Sequence, residues 1–362
     1  MTTIHIHARD IVRHDAVGNF ACQSALLAQS AGYVVRLWAE NFGEKSAPCS
    51  IEKRTYFGES IQPDDLVFFN HSIHDPMLED IIALPNRKLV YFHNITLPEF
   101  LSEADERTVK NCRRGLEQRR LLAAFDGILA NSRATADCLL EGFDPIDRAR
   151  WQGRVVVCPP LIDADRWKQV AACDLPASPE RRHILYVGRL VANKGVLELL
   201  EILDDLSANM PDIAVDIVGG PPDGAYFETL TQMARQTEET YGVPISFHHG
   251  ISDGRLKALY RRSAACITYS KHEGFCIPAL DALAFNKPMF APPLPAVLEL
   301  LGQAALTLPD DDRGKAAQMI ERVLNSDEPA AHARLRQERF GQLRLLANGD
   351  FLLQAINDLG AS

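Results

Sequence analysis

The sequence predicts an α/β protein made of two Rossmann-like, doubly wound domains with parallel sheets. Its 362 residues exceed the usual size of one hydrophobic core. A strand, a glycine-containing loop and a helix follow one another near residue 2 and again near residue 183, an order typical of such domains. Between these repeats the pair Pro159-Pro160 favours neither a helix nor a central strand. We therefore predict domains at 1–163 and 175–349, joined by a linker at 159–174.

Composition and charge indicate a soluble globular protein. Hydrophobic residues make up 46% of the chain and charged residues 24%, which is ordinary for this class. The net charge of −10 argues against nucleic acid as a partner, because phosphate backbones need clustered lysine and arginine. Eight cysteines without a C-x-x-C pair are interpreted as reduced thiols. Since the sequence shows no apolar run of signal or membrane-span length, we expect a cytoplasmic protein whose membrane contact is at most peripheral, at the inner face.

The first domain is predicted to open with strand 2–8, loop 15–19, helix 20–31 and strand 33–38. The loop contains a single glycine, Gly18, which is a weak phosphate-binding signal by itself. Because the G-x-G-x-x-G pattern is absent, a dinucleotide site here is not expected. A plain turn remains the alternative interpretation of this loop.

Two apolar runs, 66–70 and 88–93, are predicted to be buried strands that end in polar residues. Ligands of open parallel sheets bind at the carboxyl ends of the strands, so these residues are expected to line a cleft. A histidine at such a position can instead be a structural group. We leave both readings open for His93 and interpret His71 and His74 as structural.

Residues 99–124 follow a long helical pattern with one basic face. This face is either solvated or meets anionic lipid or a pyrophosphate-linked lipid acceptor, because basic side chains near a membrane contribute roughly 1 kcal/mol each. Its basic residues are Arg107, Lys110, Arg113, Arg114, Arg119 and Arg120.

The first domain is predicted to finish with strand 127–130, a helix capped by Ser132, and strand 154–158. The Asp163-Ala164-Asp165 string resembles the D-x-D of metal-dependent transferases. Because it follows the proline pair and does not lie at a strand end, we interpret it as chance and predict no metal site.

The second domain is predicted to start with strand 183–188, followed by Arg189, Lys194 and a helix at 196–206. Two cations flanked by glycines, between a strand end and a helix N-terminus, suit a diphosphate. The alternative is that both side chains are ordinary solvated charges. The next predicted strand, 213–220, ends in Gly219-Gly220, where a ligand can approach the backbone closely.

The stretch around which the chain is organised runs from His272 to Asp281. It follows the predicted strand 264–270 and enters a helix with Pro278 near its first turn. The helix N-terminus offers free N–H groups and a positive dipole end to an anion, while Glu273 and Asp281 can accept hydrogen bonds from hydroxyl groups. A phosphorylated, polyhydroxylated ligand satisfies both. The alternative is that the first carboxylate caps the helix and the second is simply solvated.

The chain is predicted to continue with strands at 245–250 and 288–291 and with a helix at 295–302. Helical patterns then run from Arg313 to Leu359, interrupted at Asn348-Gly349.

The stretch at 272–281 resembles the Glu-x7-Glu signature of the retaining glycosyltransferases of family 4, also called glycosyltransferase group 1, which have the GT-B fold of two Rossmann-like domains facing across a cleft. The resemblance implies that Glu273 binds the donor sugar and that Asp281, in place of the usual glutamate, binds the ribose. The loop amides expected to bind the sugar-phosphate are those of Gly274, Phe275, Cys276 and Ile277.

The same resemblance assigns further residues. Gly188, Arg189 and Lys194 match the segment whose cations neutralise the donor diphosphate, and His93 matches a histidine that reaches the transferring sugar. The remaining implied donor-binding residues are Gly18, Asn19, Gly219, His249 and Gly250, the last two at the nucleobase. In this fold the terminal helix, at about 350–362, crosses back onto the first domain.

The resemblance implies a hexosyltransferase that uses a UDP- or GDP-linked sugar and a saccharide or lipid-linked saccharide acceptor, in cell-surface polysaccharide or glycolipid synthesis. Arg189 and Lys194 would stabilise the leaving diphosphate, with neither metal nor cofactor required. Two alternatives remain: a GT-B sugar-nucleotide epimerase, which would act without an acceptor, and a non-catalytic sugar-nucleotide-binding scaffold.

Overall fold

The structure is a computed structural model, and it describes residues 2–12, 15–43, 50–101, 106–161, 166–176, 180–220, 224–326 and 330–361. These residues form two compact units. The first unit comprises Met1–Ile95, Glu106–Asp163 and Arg344–Ser362. The second unit comprises Thr96–Asp105 and Ala164–Leu343.

The strands within the described residues are β1 Thr3–His7, β2 Asp10–Ile11, β3 Val34–Ala39, β4 Asn41–Phe42, β5 Ile51–Lys53, β6 Leu66–His71, β7 Lys88–Phe92, β8 Gly127–Ala130, β9 Val156–Val157, β10 Arg182–Val187, β11 Ile213–Val218, β12 Ile245–His248, β13 Ala265–Ile267, β14 Met289–Ala291 and β15 Leu306–Thr307.

The α-helices are α1 Ala16–Ser30, α2 Leu78–Ala83, α3 Glu106–Gln118, α4 Arg133–Glu141, α5 Pro145–Trp151, α6 Arg166–Gln169, α7 Val196–Asn209, α8 Ala225–Tyr241, α9 Asp253–Arg262, α10 Ile277–Ala284, α11 Pro295–Leu301, α12 Arg313–Asn325, α13 Ala330–Leu346 and α14 Asp350–Ala361. Short 3-10 turns occur at Arg54–Glu59, Pro98–Phe100, Arg119–Ala124, Ala192–Lys194 and Gly302–Ala304.

The first unit is built on a parallel sheet with strand order β5-β3-β1-β6-β7-β8-β9. The strand order reverses between β1 and β6, as in a doubly wound fold. Ile6 and Phe68, on these two strands, are fully buried on one face of the sheet. The last helix, α14, contributes Leu352 and Ile356 to the same core, which ties this C-terminal segment to the first unit.

The second unit has a parallel sheet with strand order β12-β11-β10-β13-β14-β15. Counted within the unit, this is the 3-2-1-4-5-6 order of a Rossmann domain. The order reverses between β10 and β13, and ligands of such sheets bind in the crevice beyond the carboxyl ends of the strands at this point. The prediction of two Rossmann-like parallel-sheet domains is therefore confirmed.

The first loop of the chain differs from its prediction. Helix α1 begins at Ala16 and not at Phe20, because the Asp15 carboxylate caps it by accepting a hydrogen bond of 2.7 Å from the Gly18 N–H. Gly18 and Asn19 therefore lie in the first turn of the helix. A Cβ atom at Gly18 would lie 3.0 Å from the Ile11 Cα, so the glycine lets the helix pack closely on the chain before it.

The predicted helix at 99–124 was too long. Helix α3 covers Glu106–Gln118, and the chain changes to a 3-10 turn at Arg119. The basic face is also smaller than predicted, because the Arg119 guanidinium donates hydrogen bonds to the carbonyls of Leu116 and Cys138. The Asp163-Ala164-Asp165 string lies outside the described residues. Across the described ranges, helices that combine the length and apolarity needed to cross a membrane are absent.

Candidate functional site

The predicted donor-site residues of the second unit follow four neighbouring strands at one edge of its sheet. The chain leaves β10, β11, β12 and β13 at the same edge, because these strands are parallel. The residues that follow these strands are Gly188, Arg189, Lys194, Gly219, His249, Gly250 and Glu273. The fold thus gathers them at the crevice where the strand order reverses.

Lys194 and Glu273 form an ion pair at this crevice. The Lys194 ammonium lies 2.6 Å from a Glu273 carboxylate oxygen, and the side chains are 18% and 11% exposed. One residue follows β10 and the other follows β13, so the pair bridges the two strands at which the order reverses. Partial burial makes this attraction stronger than that of an exposed pair, while both groups stay within reach of a ligand.

A glycine lets these two loops approach each other. Gly195 has φ +63°, and a Cβ atom there would lie 2.0 Å from the Tyr269 carbonyl oxygen. The Lys271 N–H donates a hydrogen bond of 3.0 Å to the Asn193 carbonyl across the same contact. A larger residue at this position would push apart the loops that follow β10 and β13. The contact between Lys194 and Glu273 therefore requires glycine at position 195.

Arg189 lies exposed beside a buried tyrosine. The Tyr186 hydroxyl donates a hydrogen bond of 3.1 Å to the Arg189 carbonyl. Burial raises the pKa of Tyr186 well above its usual value, the negative charge of Glu273 raises this pKa further, and the Arg189 charge opposes the rise. The charges of Arg189 and Glu273 therefore act in opposite directions on one buried hydroxyl. The sequence analysis had not singled out Tyr186.

Gly188 and Gly219 have a packing reason to be glycines. A Cβ atom at Gly219 would lie 2.0 Å from the Gly188 carbonyl oxygen, and one at Gly188 would lie 2.7 Å from the Tyr186 hydroxyl. The ends of β10 and β11 therefore pack backbone against backbone. This packing is compatible with a ligand above the strand ends, so the donor-binding prediction for both residues stays a prediction.

His249 carries an exposed imidazole at the end of β12. Its Nδ1 lies 2.5 Å from the Gly219 carbonyl oxygen, which can only accept, so Nδ1 carries a hydrogen and donates it to this carbonyl. Its ring lies 5.2 Å from that of Phe227, edge to face, and stacks at 6.4 Å on Phe247. Gly250 follows with φ +57°. These rings form an aromatic surface of the kind that a nucleobase stacks on.

A buried charge network that the sequence analysis missed holds β10, β11 and β12 together. Asp216 accepts hydrogen bonds of 2.8 Å from His183 and from His248 and of 2.9 Å from Arg262. Burial by itself would raise the pKa of Asp216, but the two histidine hydrogen bonds and the Arg262 charge hold it well below its usual range. The network fixes the strand end that leads to His249.

The signature loop, residues 272–276, connects to α10 at a residue with a strained backbone conformation. Cys276 has φ +77° and ψ +72°, a left-handed conformation unusual for a residue with a side chain, at the N-cap position of α10. Burial raises the pKa of the Cys276 thiol far above its usual value, so this thiol stays protonated and is not a nucleophile. The expected phosphate-binding residues lead from Glu273 into the first turn of α10. They are Gly274, Phe275, Cys276 and, as the first residue of the helix, Ile277.

Asp281 is not the solvated helix residue of the alternative interpretation. It lies in α10, and its carboxylate accepts a hydrogen bond of 2.8 Å from the indole N–H of Trp167 in α6. The two residues are 114 positions apart, and local sequence patterns carry no signal for such a contact. Glu299, in α11, accepts a hydrogen bond from Arg339 through its carbonyl.

His93, a predicted site residue of the first unit, follows β7. Its Nε2 lies 2.9 Å from the Asn70 side-chain oxygen, while the Asn70 amide donates a hydrogen bond of 3.0 Å to the His7 carbonyl. Because the second contact orients the amide, the atom facing His93 is an acceptor, and Nε2 carries the ring hydrogen. Burial lowers the pKa of His93 to about 3, so the ring is neutral and Nδ1 is its acceptor atom.

A short segment of the N-terminal half belongs to the second unit. The Phe100 ring lies 6.2 Å from that of His272, directly before Glu273. Burial lowers the pKa of His272, while the negative charges of Glu273 and Glu99 oppose this shift. Most of this segment, from residue 99 onward, was predicted to belong to a long helix of the first domain. Its proximity to the signature loop was not predicted.

In a comparison with known protein families, residues 173–339 match the family "Glycosyl transferases group 1". The chain is 25% identical over 275 residues to a glycogen synthase of Mycobacterium tuberculosis, which covers 75% of this chain and 64% of that protein. It is 31% identical over 149 residues, 37% of each chain, to the GDP-mannose-dependent alpha-(1-6)-phosphatidylinositol monomannoside mannosyltransferase of Mycolicibacterium smegmatis. The chain thus spans less than two thirds of the length of these relatives.

Among solved structures, the alpha,alpha-trehalose-phosphate synthase (UDP-forming) from Burkholderia vietnamiensis matches with a TM-score of 0.71 at 15% identity, covering 100% of both chains. At this identity the match shows the fold. It agrees with the GT-B fold class expected from the sequence, and the matched family domain contains the second-unit site residues described above.

Proposed function

We propose that the protein is a retaining glycosyltransferase of family 4 that transfers a hexosyl unit from a UDP- or GDP-linked sugar to a hydroxyl group of a saccharide or lipid-linked saccharide. The observation that carries this proposal is the contact between Lys194 and Glu273, at 2.6 Å, where the strand order of a group 1 glycosyl transferase domain reverses. A cation for the diphosphate and a carboxylate for the sugar hydroxyls are the two groups that a sugar nucleotide needs side by side.

The diphosphate has three positive partners in this arrangement. Lys194 and the exposed Arg189 supply two full charges, and the first N–H groups of α10 supply a dipole end. Negative charge on the diphosphate grows as the sugar–phosphate bond breaks, so these groups stabilise the transition state more than the bound donor. We propose that these charges suffice and that the transfer needs neither a metal ion nor another cofactor.

Glu273 is the sugar-binding carboxylate in this proposal. Its hydrogen bond with Lys194 holds it in one orientation, so it can accept hydrogen bonds from donor hydroxyls without a large entropy cost. The acceptor oxygen attacks the anomeric carbon on the face from which the diphosphate leaves. The bond from carbon to the diphosphate oxygen breaks, and that oxygen takes the proton of the acceptor hydroxyl. The configuration of the anomeric carbon is retained.

The donor contacts divide among the remaining residues. His249, Gly250 and the aromatic surface beside them are proposed to hold the nucleobase, and Asp281 the ribose. From the first unit, His93 is proposed to contact the transferring sugar through Nδ1. Gly18 and Asn19, in the first turn of α1, are proposed to contact the donor phosphate through main-chain atoms.

The acceptor is proposed to belong to cell-surface polysaccharide or glycolipid synthesis. The names of two relatives refer to glycogen, a polysaccharide, and to a phosphatidylinositol monomannoside, a glycolipid, which supports either class. The exposed basic residues Arg107, Lys110, Arg113 and Arg114 of α3 are proposed to meet an anionic acceptor or the inner face of the membrane. The protein would then act in the cytoplasm, with peripheral membrane contact.

Two measurements test the proposed function. Thermal unfolding is followed with UDP, GDP, UDP-glucose and GDP-mannose, since a ligand at 100 times its dissociation constant adds about 2.7 kcal/mol to the stability of the folded state. The stabilising donor is then incubated with oligosaccharide acceptors, and the product is analysed by NMR for the anomeric configuration. We expect stabilisation by one nucleotide series and a product with the donor's configuration. Failure of both series to bind would overturn the proposal, and an inverted product would overturn the retaining mechanism.

A further inference from the structure

Trp167 is the side chain that orients Asp281. The indole N–H donates a hydrogen bond to Oδ1 of the Asp281 carboxylate over 2.8 Å. A hydrogen bond to an ionised acceptor is about twice as strong as one between neutral groups. It restricts the carboxylate to one orientation in α10.

The indole itself is held from several sides. The Lys257 ammonium donates hydrogen bonds to the Trp167 carbonyl and, over 2.7 Å, to the Val170 carbonyl, which anchors the backbone of this segment. The ring lies edge-on to Phe285 at 5.1 Å and to Tyr260 at 6.0 Å. These two rings stack on each other at 5.0 Å and form a rigid support. The indole N–H therefore has a fixed direction.

Asp281 belongs to the same electrostatic neighbourhood as Glu273. Both carboxylates raise the pKa of the buried Cys276 thiol, which lies between them in the chain. Asp281 is only partly buried. An ionised carboxylate offers about four acceptor positions, so a hydrogen bond from Trp167 is compatible with hydrogen bonds from ligand hydroxyl groups.

We propose that Trp167 is a positioning residue for donor binding: its indole N–H orients the Asp281 carboxylate toward the ribose hydroxyls of the nucleoside diphosphate. The inference rests on the proposed function, since it assumes a sugar nucleotide in the crevice of the second unit. It adds a residue from α6, outside the signature loop, to the determinants of ribose recognition. The indole does not contact the reacting atoms, so its effect falls on donor affinity and not on the chemical step.

The test uses a nucleoside diphosphate and its 2′,3′-dideoxy analogue. The variant Trp167→Phe keeps an aromatic ring against Phe285 and Tyr260 and removes the N–H donor. Titration calorimetry measures the dissociation constants of UDP or GDP, whichever binds the wild-type protein, and of the dideoxy form. For the wild type we expect the ribose form to bind at least tenfold more tightly. In the variant this ratio falls to threefold or less, while the affinity for the dideoxy form stays within twofold.

Controls separate positioning from folding. Trp151→Phe removes another indole hydrogen bond, of 3.2 Å to the Ala123 carbonyl in the first unit, and is expected to keep the tenfold ratio. If Trp167→Phe fails to fold, 3-benzothienylalanine at position 167 keeps the bicyclic ring and lacks only the N–H donor. In a transfer assay the variant raises the donor KM by fivefold or more and changes kcat by less than twofold.

The outcomes are distinct. Should the dideoxy ratio of Trp167→Phe, or of the benzothienylalanine protein, equal that of the wild type, the positioning role is overturned. An equal loss of affinity for both nucleotides overturns it as well, because that loss points to a structural effect alone. If the wild-type protein binds neither UDP nor GDP, the proposed function itself fails, and the result is recognised before any variant is made.

Discussion

The Lys194 ammonium lies 2.6 Å from a carboxylate oxygen of Glu273, although 79 positions separate the two residues in the chain. The contact exists because parallel strands bring the ends of β10 and β13 to the same edge of the sheet. Each group neutralises the charge of the other. A bound diphosphate sugar would give both groups new partners without requiring either to move far.

Substitution of the pair should reduce activity more than stability. We expect Lys194→Met and Glu273→Gln each to lower kcat/KM for sugar transfer at least about 100-fold, equivalent to roughly 2.7 kcal/mol of transition-state stabilisation. Initial rates with the stabilising donor measure the loss. Urea unfolding measures the cost of leaving one partly buried charge unpaired, which should be about 1–3 kcal/mol.

The matched control is Lys271→Met, which removes a neighbouring lysine that lies 2.5 Å from Glu198 and is 40% exposed. We expect its transfer rate to stay within about threefold of wild type, because an exposed ion pair contributes little. If Lys271→Met and Lys194→Met lose activity equally, then loss of positive charge in general, and not the position of Lys194, explains the result.

Gly195→Ala should be strongly destabilising. The residue has φ +63°, and its Cβ atom would lie 2.0 Å from the Tyr269 carbonyl oxygen. The left-handed conformation alone costs about 1–2 kcal/mol for alanine, and the clash adds to this. We expect a loss of at least about 3 kcal/mol in the free energy of unfolding, measured with urea.

Gly242→Ala is the control for this substitution. Gly242 has a similar φ of +69°, but a Cβ atom there would meet nothing within 4 Å. We expect a cost of only about 1–2 kcal/mol, from the conformation alone. Equal losses in the two variants would mean that the loops around Tyr269 move apart at little cost.

His93 should be neutral and carry its hydrogen on Nε2 throughout the pH range in which the protein is folded. Burial lowers its pKa to about 3, and Asn70 accepts a hydrogen bond from Nε2. Nitrogen-15 chemical shifts of the labelled imidazole distinguish the two tautomers and the imidazolium. We expect the Nε2–H form from pH 5 to pH 8.

The variant Asn70→Ala removes the acceptor that selects this tautomer, so the His93 signals should move toward a mixture of both forms. A wild-type spectrum with a protonated Nδ1, or with an imidazolium at pH 6, would contradict the arrangement described for His93 and Asn70.

His71 should make stability fall as the pH is lowered below 6.5. Burial lowers its pKa in the folded protein to about 4, whereas the pKa in the unfolded chain lies near the ordinary histidine value of 6.5. Above pH 6.5 both states are neutral and the stability is fully present. Below it only the unfolded state takes up the proton, so about 1.4 kcal/mol is lost per pH unit until the folded pKa is reached.

Urea unfolding at pH 7 and pH 5 measures this loss, with His71→Phe as the comparison. The phenylalanine can keep the ring contacts with Phe69 and Phe92 but cannot titrate. We expect the wild type to lose about 2 kcal/mol more than the variant between the two pH values. Identical losses would show that His71 gains its proton in the folded state.

Local features of this protein could be predicted from the sequence alone. Alternation of apolar strands with helices predicted two Rossmann-like units, and capping chemistry predicted that Ser132 starts α4. The start of α1 was predicted wrongly, because Asp15 was interpreted as part of a loop. The signal was nevertheless present, since aspartate is a favoured N-cap residue. Such features depend on neighbours within a few positions, so the sequence carries them directly.

Contacts between residues that are distant in the chain depend on the tertiary structure. Lys194 and Glu273 were predicted to belong to one donor site, but their direct contact was not predicted. The hydrogen bond from Trp167 to Asp281 was not predicted either. The network around Asp216 was likewise invisible in the sequence. These contacts join residues from different strands and helices, and their geometry follows from sheet order, register and packing, which no local pattern specifies.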